Sequence, residues 1–307
     1  MNDDNTAVRF ERQDSTAVIT LDSPAERNAL TGPVKEGLVQ VIARVKADSS
    51  IRAVVITGAN GAFCAGGDLR AIASAGQLES EGMRARMQAT NAIYRDLLTL
   101  DRPVIAAVDG AAYGAGFSLA LAADLVLVTP RARFCMVFMR IGLVPDCGAT
   151  YTLPRRVGAQ RAHELFLSAR EVGAAEAVAL GIAMEQHEPA ALMPRALALA
   201  ESFANASPLA VSLVKRFTLD AGAMEGAFEA EANAQALCFQ TGAHRDAKRG
   251  QQLLQRGLPP VVVIGNRRGG GLWLRCHGYP VTIERSRPVH GVATCLAFPG
   301  EREGRTG

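Results

Sequence analysis

The chain has 307 residues, 49% of them hydrophobic and 21% charged, a composition that excludes a disordered chain and allows a substantial core. Net charge is +3, but residues 261–307 carry seven Arg against three acids, so the preceding 260 residues are slightly acidic and nucleic acid is not an expected partner. No apolar run reaches the ~20 residues that span a membrane. The six scattered cysteines contain no C-x-x-C pair and suggest neither a disulfide framework nor a zinc site. The acidic start, Met1-Asn2-Asp3-Asp4-Asn5, is unlike a secretory or mitochondrial leader, and the expected location is cytoplasmic.

Taken in order, Val8 to Glu11 and Thr16 to Leu21 read as a hairpin entering a sheet. Thr31 then caps a helix with Pro33 in its first turn and Leu38, Val41, Ile42 and Val45 on one face. The apolar run from Ala53 to Thr57 predicts a buried strand, followed by a loop and the stretch Phe63-Cys64-Ala65-Gly66-Gly67-Asp68-Leu69, with helix expected from Leu69 onward. A helix is predicted from about Glu81 to Leu100, ended by Pro103, and then a second apolar strand from Val104 to Val108. That strand runs into the turn Gly110-Ala111-Ala112-Tyr113-Gly114-Ala115-Gly116, the helix Phe117 to Ala123 and the strand Leu125 to Val128.

Strand, glycine turn and helix thus repeat twice, which predicts an α/β body with stacked sheets and two turns facing one pocket. From His163 to about Arg256 nearly continuous helix is expected, with segments starting near Ser168, Pro189, Ser207, Gly222 and Gly242. Residues 1–200 therefore read as the core domain, 201–258 as a helical cap or oligomer-forming region, and 259–307 as a loosely ordered extension with one strand at 261–264.

A strand that ends in glycines and opens a helix leaves backbone N–H groups free for an anionic oxygen. Two such turns make either an oxyanion hole or merely two tight turns. Gly114-Ala115-Gly116-Phe117-Ser118-Leu119 fails as a dinucleotide fingerprint, because Leu119 takes the third glycine position and no suitable acid follows. The His at 163, 187, 244, 277 and 290 show no metal-ligand spacing and read as surface or helix-end residues, and no metal is expected. In Gly142-Leu143-Val144-Pro145-Asp146, the acid is either a helix cap or a carboxylate kept among apolar neighbours for proton transfer on carbon.

These segments, with Ile19-Thr20-Leu21, Arg27-Asn28-Ala29-Leu30 and the stretch Ala174 to Gly181, resemble the enoyl-CoA hydratase/isomerase (crotonase) family in order and spacing from about Val8 to Arg256. The resemblance implies a crotonase-like spiral of ββα units with a helical C-terminal region, assembled as homotrimers or homohexamers. It implies an acyl-CoA thioester as substrate, with coenzyme A entering only as part of it and no separate cofactor. It assigns the thioester oxygen to the N–H groups of Gly67 and Ala115. The same carry-over puts coenzyme A along Ala65, Gly67, Asp68, Leu69 and Ala115, with Arg27 and Arg70 near its phosphates; Asp68 itself reads as a helix-start cap.

Two departures bear on the chemistry. The family's hydratases use two glutamates, and here Ser118 and Phe138 stand in their places. Asp146 instead matches the aspartate of a double-bond-shifting subgroup that includes isomerases of phenylacetate degradation. The expected activity is therefore isomerisation through an enolate with Asp146 as acid/base. The alternatives are an enoyl-CoA hydratase of fatty-acid β-oxidation and a non-catalytic acyl-CoA-binding protein.

Overall fold

The computed structural model describes residues 7–68, 70–72, 80–247, 261–267 and 271–276. The chain divides into two compact units, Met1–Arg249 and Gly250–Gly307.

In the first unit, β1 (Val8–Gln13) and β2 (Thr16–Leu21) form the expected antiparallel hairpin. Helix α1 (Gly32–Ala47) starts where predicted: the Thr31 hydroxyl accepts from Val34 N, and Val34, Leu38, Val41, Ile42 and Val45 fall on one buried stripe. Three strand pairs follow. The first is β3 (Ala53–Gly58) with β4 (Ala62–Cys64), leading to helix α2 (Ser80–Leu98). The second is β5 (Val104–Val108) with β6 (Ala111–Tyr113), leading to α3 (Ala115–Leu121). The third is β7 (Leu125–Val128) with β8 (Arg133–Cys135), leading to the 3-10 turn Val137–Ile141 and then α4 (Ala149–Val157).

The first strand of each pair joins a six-stranded sheet, order β1-β2-β3-β5-β7-β10, in which β10 is Glu185–Gln186 and every pairing after the hairpin is parallel. The second strands build a four-stranded sheet, order β4-β6-β8-β9, closed by the antiparallel strand β9 (Glu171–Gly173). This repeated step from one sheet to the other is the spiral of ββα units. The strand period of two sends Val54 and Ile56 into the main core, while Ala53 and Val55 face Leu192, Ala196 and Ala200 of helix α7 (Pro189–Ser202).

The helical region departs from expectation at one end. Helices α5 (Ala159–Ser168) and α6 (Ala174–Ala179) flank Ser168 and β9, so the helix expected to begin near Ser168 ends there. The cause is local: Ala169 caps α5 in the left-handed conformation, and residues 171–173 then pair with β8. The starts near Pro189, Ser207 and Gly222 hold, in α7, α8 (Pro208–Thr218, capped by the Ser207 hydroxyl) and α9 (Ala221–Phe239). Residues 242–247 are helical, and the remainder of the helix expected up to Arg256 lies outside the described residues.

In the second unit, β11 (Val261–Arg267) pairs antiparallel with β12 (Gly271–Cys276). The single strand expected at 261–264 is thus half of a hairpin. Among the described residues no helix is long and apolar enough to cross a membrane.

Candidate active site

Two glycines bring the two turns together. Gly66 has φ +99°, and a Cβ there would lie 2.5 Å from Tyr113 O and 3.7 Å from Ala115 N. Gly116 approaches the other strand so closely that a Cβ would lie 2.1 Å from Cys64 O. Only hydrogen fits at either contact, and the turn after β4 is therefore held against the N-terminus of α3. Helix α3 begins at Ala115, two residues before the expected Phe117, because Gly114 takes φ 52° and its carbonyl already accepts from Ser118 N. Ala115 N consequently lies in a first helical turn, where amides have no intrahelical acceptor. Among the described residues neither Gly67 N nor Ala115 N finds an acceptor. The Tyr94 hydroxyl, fully buried in α2, donates to Ala115 O at 2.9 Å and fixes that residue from behind.

One cavity is lined by Ala65, Gly67, Asp68, Ala115 and Asp146, five of the residues singled out from the sequence. Asp68 does what a helix-start residue does: its Oδ1 accepts from Arg70 N at 2.9 Å and its carbonyl accepts from Ile72 N. Leu69 lies outside the described residues. Arg27 and Arg70 are exposed and do not line the cavity. Arg27 contributes its carbonyl, which accepts from Ala65 N at 3.1 Å, and Arg70 Nη2 is 3.6 Å from Glu26 Oε1.

Asp146 sits on the loop between the 3-10 turn and α4, 6% exposed, with Leu143, Phe138 and Ile141 beside it in the cavity wall. It does not cap α4: Gly148 holds that position, and no side chain caps it. Asp146 Oδ2 accepts from Gln235 Nε2 at 2.7 Å, while the buried Oδ1 has no partner among the described residues. Burial raises the carboxyl above its ordinary value, and the Gln235 amide and the Cys147 thiol partly oppose that rise. Ser118, fully buried, donates to Asp146 O at 3.0 Å and so anchors the acid's backbone. Phe138 lines the cavity as an apolar wall.

Sequence reasoning missed the supports of this acid. Glu231 and Gln235 lie one turn apart on α9, on the buried stripe formed by Met224, Phe228, Ala232, Ala236 and Phe239. Polar residues on an otherwise apolar stripe were the available signal. Glu231 Oε2 accepts from Gly148 N at 2.7 Å, and its Oε1 accepts from Thr150 N at 2.9 Å and from the Thr150 hydroxyl at 2.6 Å. Burial raises Glu231 to about 7, against the pull of these donors, and the neighbouring Asp146 charge adds to the rise. His244 is a second case. Of the two expected settings, surface or helix end, it takes the second, in the short helix 242–247, but it is 2% exposed and its Nδ1 lies 2.7 Å from Ile141 O. Gly142 makes that approach possible, since a Cβ on it would lie 2.9 Å from His244 N. Among the described residues no group of three or more His, Cys, Asp or Glu could hold a metal ion.

The spiral of ββα units is a crotonase-type fold, and it places a cavity between two glycine turns and a buried carboxylate. The family model described as enoyl-CoA hydratase/isomerase matches residues 11–259. The chain belongs to this family. It is 38% identical over 203 residues to the carnitinyl-CoA dehydratase of Proteus mirabilis, a match covering 66% of this chain and 76% of that protein. It is 35% identical over 200 residues to the 1,2-epoxyphenylacetyl-CoA isomerase of Escherichia coli, covering 64% and 76%. Among solved structures, an enoyl-CoA hydratase/isomerase from Cupriavidus metallidurans CH34 superposes with a TM-score of 0.67 at 40% identity, covering 83% of this chain and 95% of that one.

Proposed function

We propose that the protein is an acyl-CoA double-bond isomerase in which Asp146 is the single acid/base and the amides of Gly67 and Ala115 bind the thioester oxygen. The observation that carries this reading is a buried carboxylate with one free oxygen, in the same cavity as two backbone amides that have no acceptor among the described residues.

The chemistry follows from what such a set can do. Asp146 removes a proton from the carbon next to the thioester carbonyl, and the electron pair moves onto the carbonyl oxygen to give a dienolate. Two amide donors stabilise that oxygen, each by roughly 2.7–4 kcal/mol. The protonated Asp146 then returns the same proton two carbons away, and the double bond moves into conjugation. A carboxyl raised by burial is a better base toward carbon than an ordinary one. Adding water needs a second group to orient it, and Ser118 and Phe138 supply none: the serine hydroxyl is spent on Asp146 O. In this reading coenzyme A enters only with the substrate, and no metal or redox group takes part.

Assembly as trimers or pairs of trimers in the cytoplasm belongs to the same reading; Leu209, Val214 and Phe217 on the outer side of α8 are exposed apolar surface that such an assembly would cover. A monomeric mass by light scattering would remove that part. The chemical part is tested with matched 2-enoyl and 3-enoyl thioesters and mass-resolved products. Wild type should interconvert the esters without adding water, and Asp146→Asn should lose at least ~10²-fold in rate while still binding the ester. Unchanged turnover in that variant overturns the assignment.

A further inference from the structure

The cavity wall formed by Leu30, α1 and α2 is apolar at Leu30, Met83 and Met87 but carries two cations, Lys35 and Arg86. Both are only half-buried, and both, with Thr90, also line an outer groove shared with Gly32, Glu36, Gln40 and Ala89. Asp146, Gly67 and Ala115 do not line that groove, so the cations stand where the cavity meets it, on the α1–α2 side. Arg86 is aimed by a 3.0 Å hydrogen bond from its Nη1 to Ala71 O. Among the described residues no carboxylate forms an ion pair with either cation. Asp68, the acid in the same wall, uses Oδ1 on Arg70 N.

Two like charges in an apolar wall are unfavourable unless something compensates them. Lys35 also sits in the first turn of α1, where the helix dipole disfavours a cation and favours an anion. The ammonium is pushed below its ordinary value first by burial and then by the Arg86 charge, with smaller opposing pulls from Cys147, Asp68 and Glu36. Dipole and hydrogen-bonding capacity therefore favour an anion bound between α1 and α2, in a cavity that also holds the acids Asp68 and Asp146 and whose apolar side chains, Met83, Met87, Phe138, Ile141 and Leu143 among them, suit a hydrocarbon chain.

We propose that Lys35 and Arg86 receive an anionic group at the far end of the acyl chain, making ω-carboxyacyl thioesters the preferred ligands over simple alkyl ones. This inference rests on the acyl-CoA reading above. A carboxylate would accept from the Arg86 guanidinium and the Lys35 ammonium at once, and would neutralise their mutual repulsion.

Calorimetric binding of saturated, unreactive esters tests it: glutaryl- and adipoyl-CoA against valeryl- and hexanoyl-CoA. One or both dicarboxylic esters should bind at least about tenfold more tightly than the alkyl ester of equal length. Lys35→Gln and Arg86→Gln should each bring that ratio toward one, and Lys35→Glu should invert it, with circular dichroism verifying that each variant is folded. Equal affinity for both series in wild type overturns the proposal while leaving the acyl-CoA reading intact. So does an equal loss for both series in Lys35→Gln and Arg86→Gln, which would assign the cations to the coenzyme's phosphates. Failure of every ester to bind wild type would instead overturn the acyl-CoA reading itself.

Discussion

Gln235 Nε2 donates a 2.7 Å hydrogen bond to Asp146 Oδ2, joining residues 89 positions apart inside a buried wall. The bond leaves Oδ1 as the carboxylate oxygen with no hydrogen-bond partner among the described residues and favours the charged form that a base requires. Gln235 is thus a positioning residue. Replacing it by Leu removes a donor to the ionised acid while keeping the bulk of the side chain. Without that anchor the carboxylate leaves the geometry that proton transfer needs, and kcat/KM at high pH should fall about tenfold or more although the carboxyl itself becomes more basic. The sign of the pH effect is fixed independently: without the amide, the Asp146 carboxyl rises further, so the acid limb of the pH–rate profile moves to higher pH. A rate loss with an unmoved limb would make Gln235 a packing residue only.

Glu231 carries a different prediction, about stability. Its ordinary value near 4.5 is raised to about 7 in the folded protein, chiefly by burial. A group raised on folding contributes stability that is fully present below its unfolded value and is lost as pH rises through the folded one. The window is therefore from about pH 4.5 to about 7. Glu231→Gln keeps an acceptor for Thr150 but turns an NH₂ toward Gly148 N, a fixed cost at all pH values. Urea unfolding of both proteins should show the wild-type advantage shrinking by roughly 3 kcal/mol between pH 4 and pH 8. An advantage independent of pH would mean that Glu231 does not titrate in this range.

The body of the fold was legible because its long elements carry clear periods. The apolar runs at 53–57, 104–108 and 125–128 are strands, and the stripe through Leu38, Val41, Ile42 and Val45 is α1. Stacked sheets were expected, but the individual strands of the second sheet were not legible. Its strands β4, β6, β8 and β9 are three residues each, too short for an alternation to register, and three of them lie in segments rich in glycine or turn residues. For the site the division is similar. The two glycine turns and Asp146 stand in local motifs and could be read from their neighbours, whereas the choice of Gly67 and Ala115 within those turns rested on the family resemblance. Gln235, Glu231, Lys35 and Arg86 act through tertiary contacts, and only the polar breaks at 231 and 235 in an apolar stripe hinted at them.

Gly116 tests whether the approach of the two turns is as close as the geometry requires. It lies within α3, where alanine would ordinarily be favoured over glycine by up to about 1 kcal/mol. Here the added methyl would sit 2.1 Å from Cys64 O and 2.8 Å from Cys64 Cβ, and both belong to β4, which is held in register against β6. Neither can yield without moving β4, and β4 carries the chain into Gly66 and Gly67. Steric overlap therefore outweighs helix propensity, and Gly116→Ala should destabilise the protein by about 1–3 kcal/mol in urea unfolding. It should also lower kcat more than it weakens binding of a saturated acyl-CoA, because the spacing between the Gly67 and Ala115 amides matters most where negative charge develops on oxygen. A variant as stable as wild type, or more so, would mean that the β4–α3 contact is looser than the distances imply.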